Sequence, residues 1–296
     1  MIKRLLLVFF LFAGLTLSAC DTLGRNSGQP NTPLPPTTHN PLTVVFLDVG
    51  QGDSTLIRAP NGQTMLIDGG RDVDFGTQII IPQLKAWGAS QLDVLIPTHP
   101  DADHISGLVG VLENYPVKLA ALTGQVHATK IYERLLTNIR DKGIDALQVR
   151  TGTPIPFDPS VKLEVLNPDE DAVQSDDTNN ASIVIKLTYG QTSFLLTGDA
   201  ESPANQAMLQ HGFDVRATVL KLGHHGSRTS TNEAWLRAVQ PQLGIISVGA
   251  GNSYGHPHPE VLAALNQLGI QFLRTDEHGT ITITSDGAQL HVTTQK

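Results

Sequence analysis

From Thr43 to the end of the chain, short runs of β-branched and apolar residues alternate with stretches whose apolar positions recur at helical spacing. The period-two runs predict strands over residues 43–48, 54–59, 64–68 and 92–97, the first three close enough together to form an antiparallel meander. Helical spacing predicts helices over 76–87, 105–114 and 130–142, with a further short strand over 117–121. The theme then repeats, with strands over 161–166, 182–189, 193–197, 217–222 and 243–248 and helices over 203–211, 231–239 and 260–268. A hairpin over 280–293 turns at Ser285-Asp286-Gly287. Two comparable sheet-and-helix halves with no second linker predict one α/β domain, 43–296, built as a four-layer sandwich.

Before Thr43 the pattern is different. Lys3 and Arg4 precede an apolar run from Leu5 to Leu17, which is shorter than the roughly 20 residues a membrane-spanning helix needs. Residues 1–20 are therefore a signal peptide, and its ending, Leu17-Ser18-Ala19-Cys20, resembles a bacterial lipobox whose cysteine receives lipid. Several acyl chains on Cys20 would suffice for stable tethering, because each buried methylene contributes about 0.8 kcal/mol. Residues 21–42 carry Pro30, Pro33, Pro35, Pro36 and Pro41 among Thr, Asn, Ser and Gly, a mixture that cannot bury enough apolar surface to fold. Such a linker could hold the domain up to roughly 70 Å from the lipid. The expected location is the bacterial cell envelope, outside the cytoplasm.

Charge and cysteine content narrow the chemistry. The chain has 20 Lys and Arg against 28 Asp and Glu, a formal charge of −8. Cleavage before Cys20 would remove Lys3 and Arg4 and take the balance to −10. A generally basic nucleic-acid coat is excluded. With Cys20 the only cysteine, intramolecular disulfides and thiolate metal cages are excluded as well. Any metal must be held by His, Asp, Glu or Asn.

The segment His99-Pro100-Asp101-Ala102-Asp103-His104, just after an apolar strand and just before a helix, supplies four such ligands within six residues. A turn at a strand end can aim them at one point, whereas a regular strand or helix would scatter them over different faces. Two imidazoles and two carboxylates suit hard or borderline divalent ions, and four groups exceed what one ion needs once ligands arrive from elsewhere. Two metal ions are the natural reading. Gly50-Gln51-Gly52 is not a phosphate loop, since it lacks both the Lys-Ser/Thr of a P-loop and the third glycine of a dinucleotide fingerprint. Asp48 and Asp53 flank that turn, either as turn-formers or as supports of an active site.

His-x-Asp-x-Asp-His resembles the signature of the metallo-β-lactamase superfamily, with Asp101 where the commoner pattern has histidine. Further motifs follow in order. They are Phe46-Leu47-Asp48-Val49-Gly50-Gln51-Gly52-Asp53-Ser54, Leu66-Ile67-Asp68-Gly69-Gly70, Leu196-Thr197-Gly198-Asp199, Leu220-Lys221-Leu222-Gly223-His224-His225-Gly226-Ser227 and Tyr254-Gly255-His256-Pro257. Together they are similar to the soluble domain of ComEC-type DNA-uptake competence proteins, over nearly all of 43–296. The resemblance implies the αββα metallo-β-lactamase sandwich and two divalent ions, Zn²⁺ or Mn²⁺. It gives one ion to His99 and Asp101, the other to Asp103 and His104, and a bridging carboxylate to Asp199. His224 or His225 completes the second site. His127 is the one histidine between His104 and Asp199 that could take the family's third-histidine position, and Asn179-Asn180-Ala181-Ser182 matches the competence-type replacement. The resemblance further makes Asp68 a support of a ligand, and Asp48 and Asn180 stand as further candidate supports. Lys221 and Ser227 beside the His-His pair become candidates to meet a phosphate, and His256 a contact to substrate or leaving group.

The resemblance implies a binuclear hydrolase that cleaves a phosphodiester, DNA foremost, through a water shared by two ions, and the lipobox-like N-terminus adds the expectation that it is membrane-anchored. Asp103, Asp199 and His256 carry the catalytic roles in this reading. A second reading keeps the metals and changes the substrate to a β-lactam, a lactone or a phosphocholine-bearing wall polymer. A third is a non-catalytic surface-binding lipoprotein on the inherited fold. Neither the residues nor the resemblance names a protein partner.

Overall fold

The computed structural model describes residues 40–296, so the signal-peptide reading, Cys20 and nearly all of the linker lie outside the described residues. The first half runs β1 (Leu42–Phe46), β2 (Thr55–Arg58), β3 (Thr64–Ile67), a π-turn at Gly76–Ile80 leading into α1 (Ile81–Ala86), β4 (Leu92–Ile96), α2 (Ala102–Asn114), β5 (Val117–Leu122), α3 (Lys130–Asp141) and β6 (Asp145–Gln148). The second runs β7 (Lys162–Asn167), α4 (Glu170–Gln174), β8 (Val184–Tyr189), β9 (Thr192–Leu196), α5 (Ser202–Gln210), β10 (Val219–Lys221), α6 (Glu233–Val239) and β11 (Leu243–Ile246). It ends with α7 (Pro259–Gln267), β12 (Gln271–Arg274), α8 (Thr275–His278), β13 (Ile281–Ser285) and β14 (Leu290–Thr294). Among the described residues, no helix is long and apolar enough to cross a membrane.

Alternation along the strands builds the layers. In β1, Val44 and Phe46 point into a core shared by both sheets, while Val45 points outward to the helices of the first half. In β9, Phe194 and Leu196 enter the shared core and Leu195 faces the helices of the second half. Ile105, Leu108, Val109 and Leu112 of α2 pack on the outer face of one sheet, and Ala204, Trp235 and Val261 of α5, α6 and α7 pack on that of the other. Three apolar layers between four layers of secondary structure make the four-layer sandwich that the alternating pattern predicts, in the αββα order that the resemblance implies.

The sheets are unequal. One has eight strands in the order β14-β13-β1-β2-β3-β4-β5-β6, the other six in the order β12-β11-β10-β9-β8-β7. β1, β2 and β3 form the expected antiparallel meander, and β3 to β6 continue parallel. The C-terminal hairpin departs from the two-halves expectation, because β13 pairs antiparallel with β1 and extends the first sheet. Strands β3 and β4 of one sheet and β9, β10 and β11 of the other all end at the same edge of the sandwich, which collects the loops that follow them. Helix α2 starts at that edge and must lie close against it: a Cβ on Gly107 would overlap the carbonyl of Gly69. The glycine leaves room for Gly69 N–H to donate to His104 O at 2.6 Å, tying the loop after β3 to the first turn of α2.

Candidate metal centre

Each ligand candidate sits in a loop after one of those converging strands. His99 and Asp101 follow β4, Asp103 and His104 open α2, Asp199 follows β9, and His224 and His225 follow β10. The last two occupy consecutive left-handed conformations, at φ 47° and 54°, and Asp68 after β3 is also left-handed at φ 58°. Such conformations are costly for non-glycine residues and persist where surrounding contacts enforce them.

The geometry brings most of these residues together. Asp199 Oδ2 lies 3.3 Å from His104 Nε2, 3.6 Å from His225 Nε2 and 3.8 Å from His224 Nε2. Asp103 Oδ2 stands 3.3 Å from His225 Nε2 and 4.0 Å from His104 Nε2. On the other side, His99 joins His104 and Asp199 in a buried group that could hold an ion, and Asp101 brings Oδ2 to 3.8 Å from His99 Nε2. His225 turns into this cluster and is buried, whereas His224 remains at its rim.

Each imidazole is held from behind. His104 Nδ1 meets Asp68 Oδ2 at 2.8 Å, His225 Nδ1 meets Ser247 O at 3.0 Å, and His224 Nδ1 meets Glu201 Oε1 at 2.8 Å. His99 Nδ1 faces the hydroxyls of Thr98 at 3.1 Å and Ser182 at 3.4 Å. Thr98 Oγ1 already donates its one proton to Asp68 Oδ2 at 2.8 Å, so it accepts from His99 Nδ1–H. His99 Nε2 is thereby left with its lone pair, as it is in His104 and His225 when Nδ1–H donates to the carboxylate or carbonyl behind it. The Nε2 atoms of His99, His104 and His225 and Oδ1 of Asp199 are all buried without a hydrogen-bond partner. Four buried acceptors with no donor, on residues gathered into groups able to hold an ion, are unfavourable by themselves and fit divalent cations, with the oriented Nδ1 contacts that ligating histidines require.

The electrostatics agree. Burial opposes charge on His225, but the carboxylates of Asp199 and Asp53 outweigh it and raise its pKa to about 9. His104 is likewise raised well above the ordinary value, burial being overcome by Asp199, Asp68 and Asp103. Burial and then the neighbouring His104 push His99 down to about 3. Burial works against ionisation of Asp199, yet His104 and His225 hold its carboxyl well below the usual range. A field that retains protons on buried imidazoles also attracts a divalent cation, and loading such a site releases those protons.

Other predicted residues fall elsewhere. Asp48 is not brought to the cluster: its Oδ1 accepts from Gly50 N–H at 3.3 Å and its Oδ2 lies 3.3 Å from Lys296 Nζ, so it forms the turn. Its neighbour across the turn, Asp53, is the supporting carboxylate, with Oδ1 3.3 Å from His225 Nδ1. Lys221 does not face a phosphate, because alternation along β10 turns its side chain inward, where the ammonium pairs with Asp53 and donates to Leu222 O at 2.9 Å. Ser227 is also buried, its Oγ 2.8 Å from Thr229 Oγ1 in the turn after the His-His pair. The Asn180 side chain hydrogen-bonds to no ligand candidate; its Oδ1 accepts from Glu201 N–H at 3.2 Å and Ala204 N–H at 3.1 Å, fixing the start of α5 just beyond Asp199. His127 packs edge-on to Tyr132, at 6.3 Å between ring centroids. His256 stands beside the cluster, 5.3 Å from the His224 ring, with its Nδ1 buried and unpartnered.

Residues not singled out in the sequence complete the surroundings. Ser182 Oγ accepts from Asp199 N–H at 3.2 Å while touching His99, linking two ligands on different sheets. Thr178 Oγ1 donates to Asp101 Oδ1 at 3.3 Å, and Glu201 accepts from Thr229 Oγ1 at 2.7 Å as well as holding His224. Thr98 and Glu201 lie within two residues of a predicted ligand, and Ser182 ends the Asn-Asn-Ala-Ser motif. Proximity in sequence was the available signal for all three.

A buried cage of histidines and carboxylates at the strand ends of an αββα sandwich defines a metal-dependent hydrolase of the metallo-β-lactamase kind. Residues 47–250 match the profile of the metallo-beta-lactamase superfamily, and the chain belongs to that superfamily. It is 35% identical over 253 residues to ComE operon protein 3 of Bacillus subtilis (strain 168), which covers 80% of this chain and 32% of that protein. Competence protein ComA of Neisseria gonorrhoeae is 31% identical over 251 residues, covering 82% and 32%. The chain thus spans about one third of the length of the curated relatives it matches. Among solved structures, CmlA, a diiron beta-hydroxylase from Streptomyces venezuelae, aligns with a TM-score of 0.54 at 15% identity, over 84% of this chain and 55% of that one. That likeness is one of fold.

Proposed function

We propose that the protein is a two-metal phosphodiesterase that cleaves DNA, tethered to the bacterial envelope through lipid on Cys20. The observation that carries the reading is the set of buried unpartnered acceptors, His99 Nε2, His104 Nε2, His225 Nε2 and Asp199 Oδ1, on residues that the fold gathers into groups able to hold an ion. His99 and Asp101 would hold one ion, Asp103, His104 and His225 the other, with Asp199 facing both. Such ions, when bound, acidify a water and neutralise the charge of a phosphodiester under in-line attack. A carboxylate at position 101 in place of the usual histidine makes the first site richer in oxygen, which suits Mn²⁺ as well as Zn²⁺ and phosphate oxygens more than a lactam carbonyl. Competence protein ComA among the relatives, together with the resemblance of the motifs to DNA-uptake competence proteins, supports nucleic acid as the substrate.

The remaining work falls to the chain's own residues. Asp68, Thr98 and Ser182 orient His104 and His99. At the rim, His224 Nδ1–H donates to Glu201 Oε1, a carboxylate that favours the imidazolium, and only in that form would Nε2–H pass its proton to the leaving oxygen, with His256 beside it to contact the same group.

The test is cleavage of labelled single-stranded DNA by the full chain in detergent, supplied with Mn²⁺ or Zn²⁺. Asp199→Ala and Asp103→Ala should each reduce the rate on the order of a hundredfold or more. Bound metal without DNA cleavage would remove the nuclease reading and turn the search to β-lactams, lactones and phosphocholine-bearing wall polymers. Absence of metal binding would favour a surface-binding lipoprotein. Cys20→Ala should release the protein from the membrane fraction.

A further inference from the structure

Tyr254 is 65% exposed, an unusual position for a large aromatic ring, and its backbone is fixed. The Asn252 side chain ties the segment from both ends: Nδ2 donates to Gly249 O at 3.0 Å and His256 O at 2.6 Å, and Oδ1 accepts from Tyr254 N–H and His256 N–H, each at 3.1 Å. The phenol ring lies nearly parallel to the His256 ring, at 22° and 5.8 Å between centroids. His256 in turn lies 5.3 Å from the His224 ring and 6.2 Å from that of His225. A row of rings therefore leads from solvent to the metal cage, and Tyr254 is its outer member.

Two physical facts give that ring a use. With 28 acidic against 20 basic residues, the chain has little capacity to hold a polyanion through counterion release alone. Stacking on an aromatic face is the other general source of affinity for nucleic acid, and it tolerates any sequence because every base has a π-face. It also requires a base whose face is free, which a paired base inside a duplex does not offer.

We propose that Tyr254 is a stacking platform for an unpaired nucleobase close to the phosphate being cleaved, and that it makes the protein selective for single-stranded over double-stranded DNA. The proposal rests on the nuclease reading above. It assigns to Tyr254 a share of substrate binding and no part in bond cleavage, and the backbone that carries the ring is already fixed by Asn252 before substrate arrives.

The experiment compares the full chain with Tyr254→Ala and Tyr254→Trp on single-stranded DNA, on blunt duplex, and on strands carrying one abasic position moved along the cleavage region. Tyr254→Ala should raise KM for the single strand about tenfold with kcat changed less than about twofold, and Tyr254→Trp should restore the parent KM. The parent should lose affinity when the abasic position faces Tyr254, and Tyr254→Ala should be indifferent to it. An unchanged KM in Tyr254→Ala, or an equal abasic penalty in both proteins, overturns the proposal while leaving the nuclease reading intact. If the full chain cuts no DNA, that reading fails on its own. Quenching of a 2-aminopurine oligonucleotide, measured in chelator where no strand is cut, then decides the stacking separately: loss in Tyr254→Ala sustains it, and equal quenching in the two proteins overturns it.

Discussion

Replacing Lys221 by methionine separates a structural lysine from a substrate-binding one. The ammonium pairs with Asp53 where the two side chains are only 3% and 5% exposed, and no bulk water is available to either charge. Removing one partner of a buried pair leaves the other uncompensated, which costs about 3–5 kcal/mol. The hydrogen bond to Leu222 O is lost too, but methionine matches the aliphatic stem, so little of the cost comes from a cavity. For a folded unit of this size the penalty corresponds to a fall in Tm of roughly 10 °C. Asp53→Asn made in the same chain removes the stranded carboxylate while keeping an acceptor near His225 Nδ1, and the double variant should recover about 2 kcal/mol relative to additivity. Thermal and urea unfolding of the parent, the two single variants and the double variant measure this coupling. A Lys221→Met protein that melts with the parent but shows a raised KM for a phosphodiester would refute the reasoning and return the ammonium to the substrate.

Asp68→Asn should weaken divalent-metal affinity roughly 10- to 100-fold, because the amide turns an N–H either toward the Thr98 hydroxyl and His104 Nδ1, which both donate to Oδ2, or toward the Thr98 backbone N–H, which donates to Oδ1. Competition with a chromophoric chelator reads it, and parent affinity in the variant would count against the assigned tautomer. Stripping metal should lower Tm, since an ion at a thousand times its Kd contributes about 4 kcal/mol to the folded state; a melting curve indifferent to added Zn²⁺ or Mn²⁺ would contradict a metal cage. Burial disfavours the charge on Asp158, but the Ser160 N–H and hydroxyl and Asn61 N–H that donate to it leave its pKa below the ordinary value. That contribution is present above the unfolded carboxyl pKa and lost as pH falls through the folded one, so Asp158→Ala should cost about 1–2 kcal/mol at pH 7 and a shrinking amount in acid. A penalty that stays constant down to pH 2 would exclude the carboxylate as its source.

The sequence exposes the centre so fully because much of it is contiguous: His99, Asp101, Asp103 and His104 fall within six residues, and the strand and helix flanking them are strongly apolar. Elements with little apolar content were invisible for the same reason. β6 is largely exposed, β12 has no fully buried residue, and α4 buries none of its residues. The position of the C-terminal hairpin against β1 depends on a pairing between segments more than 230 residues apart, which periodicity does not encode. Lys221 was legible in part. Val219 faces the core between the sheets and Leu220 the helices, so period two returns Lys221 to the inner face. What the sequence could not supply was its partner, because Asp53 and Asp48 look alike beside a glycine turn and only the tertiary structure sends one inward.

The His224-His225 pair carries the least legible feature and explains why sequence leaves the choice of ligand open. In a strand or a helix two adjacent histidines would diverge in a way fixed by the element's period. Here both are left-handed, at φ 47° and 54°, a conformation that single non-glycine residues adopt sparingly and that two in succession adopt only under constraint. The constraint is visible: Ser247 O and Glu201 Oε1 each engage one Nδ1, and His224 N–H reaches Gly198 O at 3.2 Å. The turn sends His225 into the cage and leaves His224 at the rim, so that the two imidazoles of one dipeptide face different surroundings. The two directions are set by contacts from the residues that follow β9 and β11 and precede α5, none of which is local in sequence, and neither imidazole would hold its direction if the turn relaxed into an extended strand.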